Sequence, residues 1–197
     1  MSVLATRGVQ SEARLAFAGL QQLLRPVRSH SAGLSPAHRS VLDAALGIGD
    51  EHPPEHFRIA LAVLDLLSEA AASRPLLLIA EDAHWLDQPS VDVLSFVARR
   101  LESEPIVLLA AARDGYPEVF RAGELPELAL RPLDPASSAH LLEHSNDPLS
   151  PAERGRVLHE AAGNPLALVE LPSIGGGGWR RRSVRRNGQA GVMPSTA

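Results

Sequence analysis

The sequence has no cysteine and no lysine, aromatic residues make up only 4% of it, and its longest apolar runs fall short of a membrane span. Without cysteine there is no disulfide framework, no thiolate zinc or iron–sulfur site and no thiol nucleophile. Without lysine there is no lysine side chain to face a phosphate. A transmembrane helix needs about 20 consecutive apolar residues, and none is present. The first residues, Met1 to Arg7, lack the basic-then-apolar layout of a secretory signal. The expected location is therefore the cytoplasm, with no membrane partner.

All 19 basic residues are arginine, and five of them (Arg180, Arg181, Arg182, Arg185 and Arg186) lie in a tail with no acidic residue. Residues 1–172 hold 14 arginines against 23 acids, a net charge of about −9, which argues against that body gripping nucleic acid by itself. From Ser173 the pattern gives way to four glycines, arginines and small polar residues, a composition expected to be disordered. Two origins stay open for this tail, a readthrough end or a basic arm on nucleic acid.

The 45% hydrophobic content is enough for one domain with a core and a small appendage. Residues 2–6 read as a short strand. Ser11 is a candidate cap for a helix carrying Leu15, Phe17, Leu20, Leu23 and Leu24 and ended by Pro26. Ser35-Pro36 opens a second helix to about Leu46, and Pro53-Pro54 a third to about Ser73. Pro75 to Ala80 is a continuous apolar run ending at Glu81-Asp82, the pattern of a strand buried on both faces. Asp87 is placed to cap a helix to about Glu102, and residues 105–112 form a second buried-strand candidate ending at Arg113. Glu127 to Leu130 is a weaker third. Beyond Leu133 the pattern is helical, with a helix over 135–144 and a capping-box start at Ser150 to a helix stopping at Gly163. Strands separated by helices imply an α/β fold with a parallel sheet.

An apolar strand that ends in two acids places carboxylates at the carboxyl end of a sheet, where open α/β sheets bind ligands and where a carboxylate can order a magnesium ion. Read alone, the same residues are a strand followed by a solvated turn. The segment PLLLIAEDAHWLDQPSVDVLSFVARRL, however, resembles the Walker B strand and following helix in the ATPase module of large LuxR-type transcriptional regulators, a branch of the AAA/STAND signalling ATPases. Three further stretches, GVQSEARLAFAGLQQLLRPV, IVLLAAARDGYP and AAGNPLALVELP, resemble the same family in the same order, so the likeness spans about residues 3–172.

The resemblance implies an incomplete P-loop NTPase-like parallel sheet covered by helices over 1–133, a small helical lid over 134–172 and the tail over 173–197. It implies ATP and magnesium for the intact family domain. Glu81 and Asp82 match the Walker B acids, and their order leaves open which one orders magnesium and which positions water. Arg113 matches a sensor of the γ-phosphate; otherwise it is a solvated arginine at a strand end. Gly163-Asn164-Pro165 matches the G-x-P turn near the adenine, a role compatible with simple helix punctuation. The Walker A pattern G-x-x-x-x-G-K-[ST], whose lysine reaches the β- and γ-phosphates, is not in the sequence. The chain is accordingly expected to begin just downstream of it, to lack a strand between those at 105–112 and 127–130, and to hydrolyse no ATP alone. DNA contact would come from a helix-turn-helix domain outside these residues. The expected partners are a second copy or another protein at an exposed sheet edge or a helical face, and the competing readings are a non-enzymatic interaction module or a decayed gene product.

Two H-x-x-E-H stretches, His52 to His56 and His140 to His144, match an inverted-zincin pattern. Prolines inside the first and the lack of an identifiable third ligand for the second argue against zinc. Trp85 reads as packing between its strand and the next helix.

Overall fold

The computed structural model describes residues 1–48, 55–101, 103–116, 120, 125–145 and 148–175. It divides into two compact units, residues 1–127 and 128–197.

The first unit holds three parallel strands, β1 (Ser2–Arg7), β2 (Leu76–Glu81) and β3 (Ile106–Ala110), in the spatial order β1-β2-β3. Between β1 and β2 run α1 (Ala18–Leu24), a 3-10 segment (Arg25–Gly33), α2 (Pro36–Ala45) and α3 (His56–Ala71). A single helix, α4 (Gln88–Ala98), links β2 to β3. Parallel strands need such crossovers, and the alternation of apolar strands with helical stretches encodes them. This is the α/β class expected from the sequence.

The core lies on one face of the sheet. Leu4 and Thr6 of β1, Leu76, Leu78 and Ala80 of β2, and Ile106 of β3 are buried there, with Leu20, Leu23 and Leu24 of α1, Ile59, Val63, Leu66 and Leu67 of α3, and Leu94 and Val97 of α4. The other face carries Val3, Leu77 and Val107 in one cross-strand row and Ala5, Ile79 and Leu109 in the next. Val107 and Leu109 are 61% and 57% exposed. β2 thus alternates between buried and half-buried positions, and the expectation of burial on both faces is corrected. An apolar run signals that both faces suit a dry environment, and it does not say that this chain supplies both covers.

Two further expectations are corrected. Residues 127–130 form no strand, and Leu128 and Leu130 are 83% and 88% exposed at the start of the second unit. The stretch from Ser11 is a series of turns, with α1 starting only at Ala18 behind Phe17, whose φ is 64°. Elsewhere the local signals hold. The Ser35 hydroxyl accepts from the His38 amide at the start of α2, and Asp87 caps α4. The Pro53-Pro54 start of α3, Glu102 and the tail from 176 onward lie outside the described residues.

The second unit is helical: α5 (Pro135–Ser145), α6 (Pro151–Ala161) and α7 (Pro165–Gly175). Leu142, Val157, Ala161 and Leu168 form its small core. Ser150 and Glu153 make the expected reciprocal capping box on α6.

Candidate functional site

The carboxyl ends of the three strands bring Arg7, Glu81, Asp82, His84 and Arg113 into one region of the first unit. Glu81 ends β2 opposite Arg7 of β1 in the strand register. Asp82 leaves the strand in the left-handed conformation, φ 46° and ψ 43°, and starts a one-turn 3-10 segment, Ala83–Trp85. Hydrogen bonds run on past the ends of the strands: the Ala111 amide donates to the Ala80 carbonyl at 2.9 Å, and the Ala83 amide to the Ala111 carbonyl at 2.8 Å. The acid turn and the approach to Arg113 are therefore joined by backbone.

On the other side the Gly8 amide donates to the Glu81 carbonyl at 2.8 Å. Gly8 has no room for a side chain, since a Cβ there would overlap the Asp82 carbonyl and stand 2.8 Å from the Leu86 amide nitrogen. The end of β1 is thereby pressed against the turn that carries the acids. Its side chain completes the junction, as Nε and Nη2 of Arg7 both reach Oδ2 of Asp82 at 3.0 Å. Glu81 is exposed and its carboxylate has no hydrogen-bond or ion-pair partner among the described residues. The two acids, adjacent in sequence, differ in their surroundings.

His84 lies between the acid turn and the end of β3. Its Nδ1 is 3.4 Å from the Arg113 amide, a long contact, and its ring packs against Tyr116 and Trp85 with centroids 4.3 Å and 5.2 Å away. Its Nε2 is buried without a hydrogen-bond partner. Leaving a buried polar atom unsatisfied costs about 1–3 kcal/mol, so this nitrogen marks a position where a polar group would be stabilised. Trp85, expected to pack between strand and helix, is half-buried and meets Tyr116 edge-on at 5.1 Å. Arg113 is exposed, and its guanidinium forms no ion pair among the described residues.

Gly163, Asn164 and Pro165 belong to the second unit, where each has a local task. Gly163 has φ +80°, and a Cβ there would come within 2.5 Å of the Leu133 carbonyl oxygen. The Asn164 side chain accepts from the Leu166 and Ala167 amides at 2.9 Å and 3.2 Å, capping α7, and Pro165 is the first residue of that helix. In the second H-x-x-E-H stretch, Nδ1 of His144 bonds the His140 carbonyl at 2.8 Å and Glu143 pairs with Arg154 at 2.6 Å, so these side chains are engaged locally. His52 of the first stretch lies outside the described residues.

Asp87 is the residue whose role extends furthest beyond its sequence signal. It is 2% exposed. Its carboxylate accepts from the Ser90 amide and hydroxyl at 2.9 Å and 2.7 Å, capping α4. It also accepts from the Phe17 amide at 2.7 Å and the Gly19 amide at 3.0 Å, capping α1 from 70 residues away. One buried carboxylate thus satisfies the starts of two helices and fixes the turn that follows the acid pair.

The chain belongs to the AAA ATPase domain family, whose model matches residues 2–109 and so includes all three strands. It is similar to an uncharacterized protein of Rhizobium meliloti (strain 1021), 36% identical over 74 residues, which are 37% of this chain and 7% of that protein. The chain therefore spans only a small part of the length of that curated relative. No solved structure matches it. Among the described residues no helix is long and apolar enough to cross a membrane.

The family implies ATP and magnesium in general. Magnesium is held by one or two carboxylates, with its other positions taken by water and phosphate oxygens. Adjacent carboxylates at the carboxyl end of a parallel sheet suit that donor set. The phosphate side differs: with no lysine in the sequence, only arginines offer side-chain cations there.

Proposed function

We propose that these residues form the magnesium and sensor side of an ATP-binding switch domain of a LuxR-type regulator, without a Walker A cradle of their own. One observation carries the reading: the end of β2 and the turn after it present Glu81 and Asp82 between Arg7, at the end of β1, and Arg113, just past the end of β3. Magnesium, when bound, would neutralise phosphate charge. Glu81 would supply an open carboxylate to it, Asp82 a second one, and Arg113 a guanidinium toward the terminal phosphate. The LuxR assignment rests on the four family-like stretches in their order. In such a switch, ligand favours one arrangement over another by differential affinity, and turnover is not required. A partner domain carrying a helix-turn-helix would make the DNA contact.

The proposal has a direct test in Mn²⁺ binding as a magnesium probe, followed by water-proton relaxation. Glu81→Gln is expected to weaken binding at least tenfold, and unchanged affinity would remove the metal role. A phosphate-release assay with Mg-ATP is expected to show no turnover above the blank, because no lysine faces the phosphates. Turnover abolished by Glu81→Gln and Asp82→Asn would overturn the inactive reading. Sequencing the DNA upstream of the reading frame tests the origin: an in-frame strand followed by G-x-x-x-x-G-K-[ST] would supply the cradle.

A second reading is favoured by the open sheet face bearing Val3, Val107 and Leu109. On that reading the chain is a non-enzymatic interaction module whose sheet packs against a second copy or another protein.

A further inference from the structure

We propose that Arg7 is a gate on the cation site, holding Asp82 back so that a divalent cation meets Glu81 first and gains Asp82 only when the guanidinium swings away. The inference rests on the magnesium reading above and names a residue that the acid-pair motif does not include.

The geometry separates the two acids. Arg7 and Glu81 are register partners on neighbouring parallel strands, so their side chains leave the same face of the sheet. The guanidinium nevertheless engages Asp82, with both Nε and Nη2 on Oδ2 at 3.0 Å. The left-handed backbone of Asp82 breaks the strand alternation at that residue, and its carboxylate meets the end of β1. Oδ2 therefore has a cation already, while the Glu81 carboxylate has no partner among the described residues.

Arg7 is built to move without disturbing the fold. Its backbone amide donates to Oε1 of Gln22 in α1 at 3.0 Å, and the Thr6 hydroxyl donates to the same oxygen at 2.9 Å. The next residue, Gly8, is fixed to Glu81 by its amide and wedged against the acid turn. The main chain is thus held from both sides, whereas the Arg7 side chain is 65% exposed against 24% for Asp82. An ion pair that exposed is held only weakly against solvent. A divalent cation can displace it, and the released guanidinium then stands at the same strand end, free to meet an anionic group of the ligand. A buried, multiply bonded arginine would instead be a permanent block.

The test titrates Mn²⁺ alone into the full chain by water-proton relaxation, comparing wild type with Arg7→Gln, Arg7→Lys, Asp82→Asn, Glu81→Gln and the double variant Arg7→Gln/Asp82→Asn. Thermal melts establish that each is folded. Arg7→Gln is expected to tighten Mn²⁺ binding roughly three- to tenfold, since a competing cation is gone. Arg7→Lys is expected to stay near wild type because the charge is restored. The double variant is expected to lose the gain, which assigns it to Asp82 and not to a general change of field. Unchanged or weaker binding in Arg7→Gln, with binding still dependent on Glu81, overturns the gate and leaves the metal site standing. Binding indifferent to Glu81→Gln, or absent from every variant, overturns the magnesium reading and the gate together.

Discussion

At the scale of single residues, the acid turn is held in place by contacts that no short sequence window contains. Asp87 is an example. The sequence shows it as a cap for α4, because Ser90 is three residues away. It cannot show that the same carboxylate accepts from Phe17 and Gly19. Replacing Asp87 by alanine leaves those two amides and the first turn of α4 without an acceptor. The expected loss is about 3–7 kcal/mol, since each of the two buried unsatisfied donors costs about 1–3 kcal/mol and a lost cap about 1 kcal/mol. Asp87→Asn keeps the shape and one acceptor and is expected to lose less than half of that. Urea unfolding of the two variants checks the order, and equal stabilities would mean that Asp87 serves as an ordinary surface cap. Gly8 is a second case, visible only as one glycine among fifteen until the 82–86 turn is placed against it. Gly8→Ala is expected to push that turn away and to weaken Mn²⁺ binding along with stability, read by the same relaxation titration.

At the scale of elements, legibility followed the range of the interaction that defines each one. The capping box on α6, the proline starts of α2 and α7 and the Asp87 cap on α4 depend on groups within a few residues and are legible in the sequence. α1 starts at Ala18 and not near Ser11 because its start is set by the Asp87 carboxylate, distant in sequence. The chain from 127 to 130 has strand-like composition but no neighbouring strand to bond, and composition alone does not form a ladder.

The local caps have a pH signature. Hydrogen bonds from the Ser137 amide, then its hydroxyl, hold the Asp134 carboxyl below its ordinary range, and the Ser150 hydroxyl, then its amide, do the same for Glu153. Both groups bind protons less readily folded than unfolded. Their stabilisation is thus fully present above the ordinary carboxylate range and is lost as pH falls through the depressed folded values. Circular dichroism is expected to show helix lost on acidification, with the acid limb blunted in Glu153→Gln. Carboxyl-carbon NMR titration of Asp134 and Glu153 checks the direction residue by residue, and midpoints at or above ordinary values would contradict the capping account.

At the scale of the whole molecule, the main departure from expectation is the sheet face that the described residues leave open. Val3, Leu77 and Val107, with Ala5, Ile79 and Leu109 beside them, make a continuous apolar surface across three strands. Parallel sheets are normally covered on both faces, because exposing such a surface to water is unfavourable at about 25 cal/mol per Å². The same six residues explain why the apolar runs at 75–80 and 105–112 looked like strands buried on both faces. The family membership of residues 2–109 accounts for the sheet, but it does not provide the second cover from within these residues. An isolated chain with that face open is expected to self-associate as concentration rises. Leu109→Lys, at a position already 57% exposed, is expected to change unfolding free energy by less than about 0.5 kcal/mol while lowering the associated fraction. Light scattering behind size exclusion measures the fraction, and urea unfolding the stability. A monomer at all concentrations would weigh against the interaction-module reading. Association that survives Leu109→Lys would move the contact off this face. Loss of association with Mn²⁺ binding intact would show that the apolar face and the Glu81 site, which lies beyond Ile79 at the carboxyl end of the same face, are separable.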